Sequence, residues 1–397
     1  MRGAIKSQPE LVCLISPDSV VPKDHPIRTI KKYIDEVFSR MNRHFAAMYA
    51  EEGRPSIPPE RLLKAKVLIA LFSVRSENLF VEQLHYNLLY RWFLDMDLSE
   101  PVFDNSSFSK NQQRLMQHEV AKIFFGQVVG LARDQGWVSD EHFSVDGTLI
   151  ESWASLKSFV PKDQPRRRGQ DDSDPGNADV NFRGQKRSNA THESATDPEA
   201  RRRKKAVGQE AKLCFGLHAL MENRHGLYVD LQVSSATGVT ESDVALEMLS
   251  KQKRARSVGA DKGYHHGPFV QGCRQRPIVP PVATAKGRRI EGWDGRTTRT
   301  ATYALSQKIR KRIEEGFGWI KTVGGFRKTR FKGIGRTQLS AYFVGAACNL
   351  VRMATLALGP PALAAPLKKA VWRRKRLENR RDKRIISKAI GESQFAL

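Results

Sequence analysis

The sequence predicts an α/β core preceded by an all-α amino-terminal domain. Three observations carry that prediction. Apolar residues recur at three-to-four-residue spacing from Asp24 to about Leu131; the period changes at His142, where Phe143, Val145, Thr148, Leu149 and Ile150 are all β-formers; and beyond residue 208 strand-like and helix-like runs alternate.

In the amino-terminal stretch, Ile27, Ile30, Ile34, Val37 and Phe38 line one helix face. Ser56-Ile57-Pro58-Pro59-Glu60 reads as a helix start with Ser56 as cap, followed by Leu62, Leu63, Val67, Leu68 and Leu71. A further helix is expected over Leu79 to Phe93, and another behind an Asp104-Asn105-Ser106 cap, carrying Lys110 and Arg114. Short helices with basic faces suit DNA docking, and a dimerisation module has the same spacing; no recognition helix stands out.

A strand is expected to enter Asp146-Gly147. Residues 161–208 contain few large apolar side chains and alternate charge blocks, such as Arg166-Arg167-Arg168 against Asp171-Asp172, so a mobile insertion is expected there. Leu213 to Met221 and Leu227 to Val233 read as a hairpin joined at Asn223-Arg224-His225-Gly226. Glu241 to Leu249 reads as a helix, Ser257 to Ala260 as a short strand ending on Asp261, and Ser306 to Lys321 as a helix. The domains expected are therefore 1–135, helical; 136–358, α/β; and 359–397, a basic tail whose Lys368 to Lys388 stretch is either a helix or a disordered arm.

Composition bounds the partners. The chain has 397 residues, 40% hydrophobic and 27% charged, enough for a buried core. Its 67 Lys and Arg against 42 Asp and Glu give a net charge of +25, most simply explained by a polyanion that neutralises it, with nucleic acid the leading class. Basic residues are spread along the chain rather than set beside a spanning segment, which disfavours a membrane surface. Leu339 to Leu358 is the most apolar window, but Asn349 and Arg352 within it argue for a buried amphipathic helix. Cys13, Cys214, Cys273 and Cys348 form no C-x-x-C pair, so reduced thiols are expected rather than a zinc ribbon or a disulfide framework. Lys6 to Glu10 interrupts any export-signal pattern, and a cytoplasmic, DNA-associated protein is expected.

Asp146 and Asp261 each follow an apolar β-run and come side by side if their strands are neighbours. Mg²⁺ takes one or two carboxylates with water and phosphate, so dispersed acids suit it better than a His or Cys cluster. At about 100° per residue, Arg310, Glu314 and Lys321 fall at about 0°, about 40° and about 20°, bordering a buried stripe of Ile313, Phe317 and Ile320, whereas Glu315 falls at about 140°. Glu314 is therefore the expected third ligand, with Arg310 and Lys321 on flanking phosphates. Each acid has a bland alternative: a turn signal at Asp146-Gly147, a helix cap at Asp261, an intrahelical pair of Glu314 with Arg310. Lys262, Arg288, Arg289, Arg327, Lys328 and Arg330 are further candidate phosphate contacts, in basic segments that also hold Lys286, Arg296 and Arg299. His265-His266 lacks the spacing of a zinc site and reads as surface histidines, His218 as a satisfied strand residue, and no P-loop is present.

The segments Phe143-Ser-Val-Asp146-Gly-Thr-Leu-Ile-Glu-Ser-Trp153-Ala-Ser, Gly259-Ala-Asp261-Lys-Gly-Tyr264 and Arg310-Lys-Arg-Ile-Glu314-Glu-Gly-Phe-Gly-Trp-Ile-Lys321 resemble bacterial DDE transposases of the insertion sequence five group. The likeness runs from about Leu11 to Leu356 and includes Gly53-Arg54-Pro55-Ser56 and Arg91-Trp92-Phe93. It implies a ribonuclease H-like mixed sheet flanked by helices, with Asp146, Asp261 and Glu314 as ligands to a pair of Mg²⁺ ions for which Mn²⁺ substitutes. Arg310 and Lys321 match the family's R-x3-E-x6-K signature. The function implied is binding of terminal inverted repeats, phosphodiester hydrolysis and transfer of the 3′-hydroxyl to target DNA, by a homodimer or larger assembly. A repurposed DNA-binding protein and a ribonuclease H-like nuclease are the alternatives. Gln307 stands where the family has Tyr, and Leu156 and Pro281 stand where His is frequent.

Overall fold

Pro26 opens the first long helix because its missing N–H costs nothing at a helix start, and His25 accepts from the Ile27 amide at 3.1 Å. The computed structural model describes residues 16–48, 56–117, 119–162, 187–204, 208–236, 241–285 and 298–359, with positions 287, 290 and 293. The helical part comprises α1 (Pro17–Val20), α2 (Pro26–Ala46), α3 (Pro59–Leu71), α4 (Glu77–Tyr86), α5 (Leu88–Phe93), α6 (Asn105–Gln117) and α7 (Val120–Asp134). The predicted stripe on α2 is buried as expected.

Two details differ from the sequence reading. Ser56 does not cap α3: the helix begins at Pro59 behind Pro58 with no side-chain cap, and Ser56 donates to Asn111 Oδ1 instead, at 3.1 Å. The helix expected over Leu79 to Phe93 breaks at Asn87, whose extended backbone lets its side chain accept from the Tyr90 amide and start α5 afresh. Asp104 does cap α6, accepting from the Ser107 amide at 2.8 Å.

The sheet is built on β1 (His142–Glu151), followed by β2 (Phe159–Pro161), β3 (His192–Ser194), β4 (Arg201–Arg203), β5 (Lys212–Glu222), β6 (Tyr228–Ser235), α8 (Glu241–Ser250), β7 (Ser257–Gly259) and α9 (Gly267–Arg274). β5 pairs antiparallel with β1, β4 and β6, while β1 pairs parallel with β7. Parallel bridges Ser257–Val279 and Ala260–Val282 extend the sheet beyond β7. The result is a mixed sheet flanked by helices, as predicted. The β5–β6 hairpin is closed by buried Glu222, whose carboxylate accepts from the amides of Arg224, His225 and Leu227 at 2.8, 2.7 and 3.1 Å.

The insertion expected over 161–208 is not borne out over 187–204. Residues 163–186 lie outside the described residues, but 187–204 is built into the fold: β3 pairs β2, and the basic block Arg201–Arg203 forms β4 on the main sheet. Buried Asp197 anchors this return: its carboxylate accepts from Ser152 Oγ at 2.9 Å, and its backbone amide donates to Ser194 Oγ at 3.0 Å.

The helix expected over Ser306 to Lys321 is two helices, α10 (Ala301–Ile309) and α11 (Arg312–Thr322), interrupted at Arg310-Lys311. Both residues keep right-handed helical angles, so the predicted register survives: Ile313, Phe317 and Ile320 are buried, Glu314 exposed. The last element, α12 (Ile334–Leu358), is the apolar window of the sequence. By length and composition alone it passes for a membrane span, yet it is a core helix, packing on β6 and on α2, α3 and α7. Its two amides face the free edge of β6. Gln338 exchanges hydrogen bonds with Val233 N and Leu231 O at 2.6 and 2.9 Å, and Asn349 with Tyr228 N and O at 2.9 and 2.8 Å. Eleven residues is about three helical turns, which sets both amides on one face. One hydrophobic core runs through helices and sheet together, with Phe124 of α7 between Phe38 and Phe343 at 5.9 and 6.2 Å. The tail beyond 359 lies outside the described residues.

Candidate active site

The register of β1 with β7 places the first two acids. Ser144 pairs with Gly259 in the parallel ladder, so continuing the two strands by two residues sets Asp146 beside Asp261. Asp261 Oδ1 also accepts from the Gly263 amide at 2.7 Å, so the cap reading holds for this carboxylate and does not conflict with its place beside Asp146. Asp146 Oδ1 accepts from its neighbour Gly147 N at 2.8 Å.

Alternation along β1 sets Ser144, Asp146 and Thr148 on one face. At one end of this stripe, a Cβ on Gly259 would lie 3.5 Å from Arg310 Cβ and 3.6 Å from Ser144 Oγ; at the other, Lys321 Nζ donates to Thr148 Oγ1 at 2.5 Å. Arg310 to Lys321 spans about 16 Å of helix and Ser144 to Thr148 about 13 Å of strand, so the signature lies along the stripe with Glu314 between its two cations. The bland reading of Glu314 fails: Arg310 Nε turns to Gln307 Oε1 at 2.9 Å, and Glu314 has no ion pair among the described residues.

Burial, and then the charges of Asp261, Glu241 and Glu314, push the Asp146 carboxyl up to about 7, against the hydrogen bond from Gly147 that stabilises its anion. A half-buried carboxyl facing three acids is a hard, all-oxygen donor set that a divalent cation would neutralise, and these residues fit one. Among the described residues no trio of Asp, Glu, His or Cys is already gathered as ligands around one point, so the acids share a neighbourhood rather than a preformed cage.

Glu241 is the acid that sequence reasoning missed. It begins α8, pairs with Arg203 at 3.6 Å, and lies so close to β1 that a Cβ on Gly147 would meet its Cδ at 3.1 Å. Gly147, whose bland alternative from sequence was a turn signal, lies within β1 and marks this approach instead.

α11 is seated by a second close approach. A Cβ on Gly316 would fall 2.2 Å from the Tyr228 hydroxyl, which is buried without a partner among the described residues. Gly316→Ala should cost about 1–3 kcal/mol by overpacking, in thermal unfolding. Tyr228→Phe should be near neutral, because it removes a buried unsatisfied group, and should recover part of the Gly316→Ala loss. Equal losses with and without the Tyr228 hydroxyl would show that the two do not collide.

The basic candidates divide. Lys262 and Arg327 are exposed, and Lys328 Nζ sits 5.5 Å over the Trp153 ring, itself 53% exposed. Lys286, Arg288, Arg289 and Arg296 lie outside the described residues. Arg330 is a correction: it turns inward and donates to Val74 O at 2.6 Å, joining the helical region to the core, and burial lowers its pKa. It borders a recess of about 330 Å³ between α3, α4 and α12, floored by the Lys66–Glu77 pair and away from the acids. His265 is a second correction: it is buried, edge-on to Trp293 at 5.1 Å, and accepts from the Ala285 amide. His218 shares a hydrogen bond between Nε2 and Ser234 Oγ at 2.8 Å within the sheet, but its Nδ1 is buried without a partner among the described residues, so the expected satisfied strand residue is only half satisfied.

Two family models match parts of the chain. Residues 15–114 match the family model described as "Transposase domain (DUF772)", and residues 178–350 match the "Transposase DDE domain". Among solved structures, the chain is similar to the piggyBac transposase synaptic complex with hairpin DNA, determined by cryo-electron microscopy. The identity is 11%, the match covers 87% of this chain and 82% of that one, and the TM-score is 0.37.

Proposed function

Since this chain belongs to the transposases of the DDE type, enzymes that act on DNA with a divalent metal, we propose that Asp146, Asp261 and Glu314 are its metal ligands and that it mobilises an insertion sequence. The observation that supports this most is the arrangement on one sheet face. Two carboxylates stand on neighbouring parallel strands, and a helix bearing Glu314 is laid over them between Arg310 and Lys321.

The chemistry supplied by a pair of Mg²⁺ ions bound there, or by Mn²⁺ in their place, is activation of the attacking oxygen and stabilisation of the leaving one. The carboxylates then serve as ligands rather than as proton carriers. Arg310 and Lys321 hold phosphates on either side of the scissile bond, which fixes the in-line approach of water in end cleavage and of the 3′-hydroxyl in strand transfer. Lys262, Arg327 and Lys328 extend the basic surface along the DNA. The substrate is the element's terminal inverted repeats, and bringing two ends to one target requires at least a dimer. The helical region at 1–135 serves DNA docking and pairing of copies, and the core at 136–358 performs the chemistry.

Glu314→Gln should reduce end cleavage to background, while Glu315→Gln should keep it within about threefold of wild type, since a ligand to the metals contributes several kcal/mol and an exposed charge little. The assay is Mg²⁺-dependent nicking and joining of a labelled element end. The reverse ranking would assign the third ligand to Glu315.

A further inference from the structure

We propose that Gln307 is a positioning residue that aims the Arg310 guanidinium at the substrate phosphate, using the Pro281 carbonyl as its anchor. The inference rests on the reading of Arg310 as a phosphate contact.

Gln307 Nε2 donates to Pro281 O at 2.6 Å, and Gln307 Oε1 accepts from Arg310 Nε at 2.9 Å. The two bonds fix the amide in one orientation, because a flip would set oxygen against the carbonyl and NH₂ against the guanidinium. The anchor is itself fixed. Pro281 precedes Val282, which bridges Ala260, and the Ala283 amide donates to Ala260 O at 3.0 Å, one residue before Asp261. A continuous path therefore runs from the strand that carries Asp261, through the Pro281 carbonyl and Gln307, to Arg310.

Only the Nε–H of Arg310 is consumed by this path. The four N–H groups on Nη1 and Nη2 have no partner among the described residues, and this is the edge that grips a phosphate in two parallel hydrogen bonds. Holding Arg310 by Nε selects the rotamers in which that edge faces outward and removes the rotamer entropy that DNA binding would otherwise cost. Gly259 contributes by letting α10 approach: a Cβ there would lie 2.8 Å from Ser306 Oγ. Gln307 and Pro281 are also two of the positions at which the chain departs from the pattern it resembles, and the departures meet in one hydrogen bond.

The test is a double-mutant cycle of Gln307→Met and Arg310→Ala. Affinity is measured with a chelator present, so that metal plays no part, on a duplex copied from the DNA flanking the gene. Gln307→Met should weaken binding by about threefold to tenfold, the effect of one hydrogen bond to a charged group, and Arg310→Ala by more. The double variant should bind no more weakly than Arg310→Ala alone. If Gln307→Met weakened binding by the same factor in both backgrounds, Gln307 would act independently of Arg310 and the inference would be wrong. If Arg310→Ala left affinity and cleavage unchanged, the phosphate reading of Arg310 would fail and the inference with it. Thermal melting of each variant separates loss of fold from loss of contact.

Discussion

Asp146→Asn should lower DNA-end cleavage by on the order of 10³-fold or more while leaving DNA binding intact. The substitution keeps the shape of the side chain and removes the charge that holds a metal. Asn also keeps an oxygen to accept from the Gly147 amide, so the local turn of β1 is preserved. Stability should hold or rise, because burial and the charges of Asp261, Glu241 and Glu314 all oppose ionisation of this carboxyl. Cleavage of a labelled end in Mg²⁺ and a mobility shift in chelator separate the two functions, and chelation of the wild type should reproduce the variant's loss. Cleavage within tenfold of wild type would remove Asp146 from the metal site.

Phe124→Ala should cost about 3–5 kcal/mol and should lower the unfolding temperature of the whole described fold in one transition. Phe124 is fully buried on α7 and packs between Phe38 of α2 and Phe343 of α12, while its neighbour Phe125 stacks near Tyr342 at 5.6 Å. A cavity here is felt by the helical region and, through α12, by β6. Circular dichroism and tryptophan fluorescence should therefore report one midpoint. Two separate transitions, with only the earlier one moved, would mean that the helices and the sheet unfold as independent bodies.

Local pattern was enough to read α2, the β5–β6 hairpin, α8 and the strand entering Asp146, because each carries its period within a single element. The face of α11 was legible for the same reason: Ile313, Phe317 and Ile320 fix which side is buried, and Glu314 follows. What the sequence did not reveal depends on distant partners. Glu241 joins the acids only because α8 approaches β1 at Gly147, and no spacing in the chain records that meeting. Arg330 looked like its exposed neighbours Arg327 and Lys328 until the carbonyl of Val74 captured it. The basic run Arg201–Arg203 resembled a solvated linker because strand propensity was outweighed by charge, yet pairing with β5 overrides composition. His265 was misjudged in the same way, since Trp293 and the 285 loop close over it.

The amides of Gln338 and Asn349 have a consequence for how the protein is made. They cover the outer edge of β6, but Asn349 is 121 residues later in the chain than Tyr228, the residue it pairs with. At about 5–20 residues per second, a ribosome takes roughly 6–24 seconds to cover that distance. Throughout that interval the edge of β6 is bare on the nascent chain, with Tyr228, Leu231 and Val233 ready to recruit a strand from another copy. Slower elongation between 235 and 349 would lengthen the exposure, and a chain ending short of Asn349 would never close it. Soluble yield should thus depend on how quickly the last helix emerges.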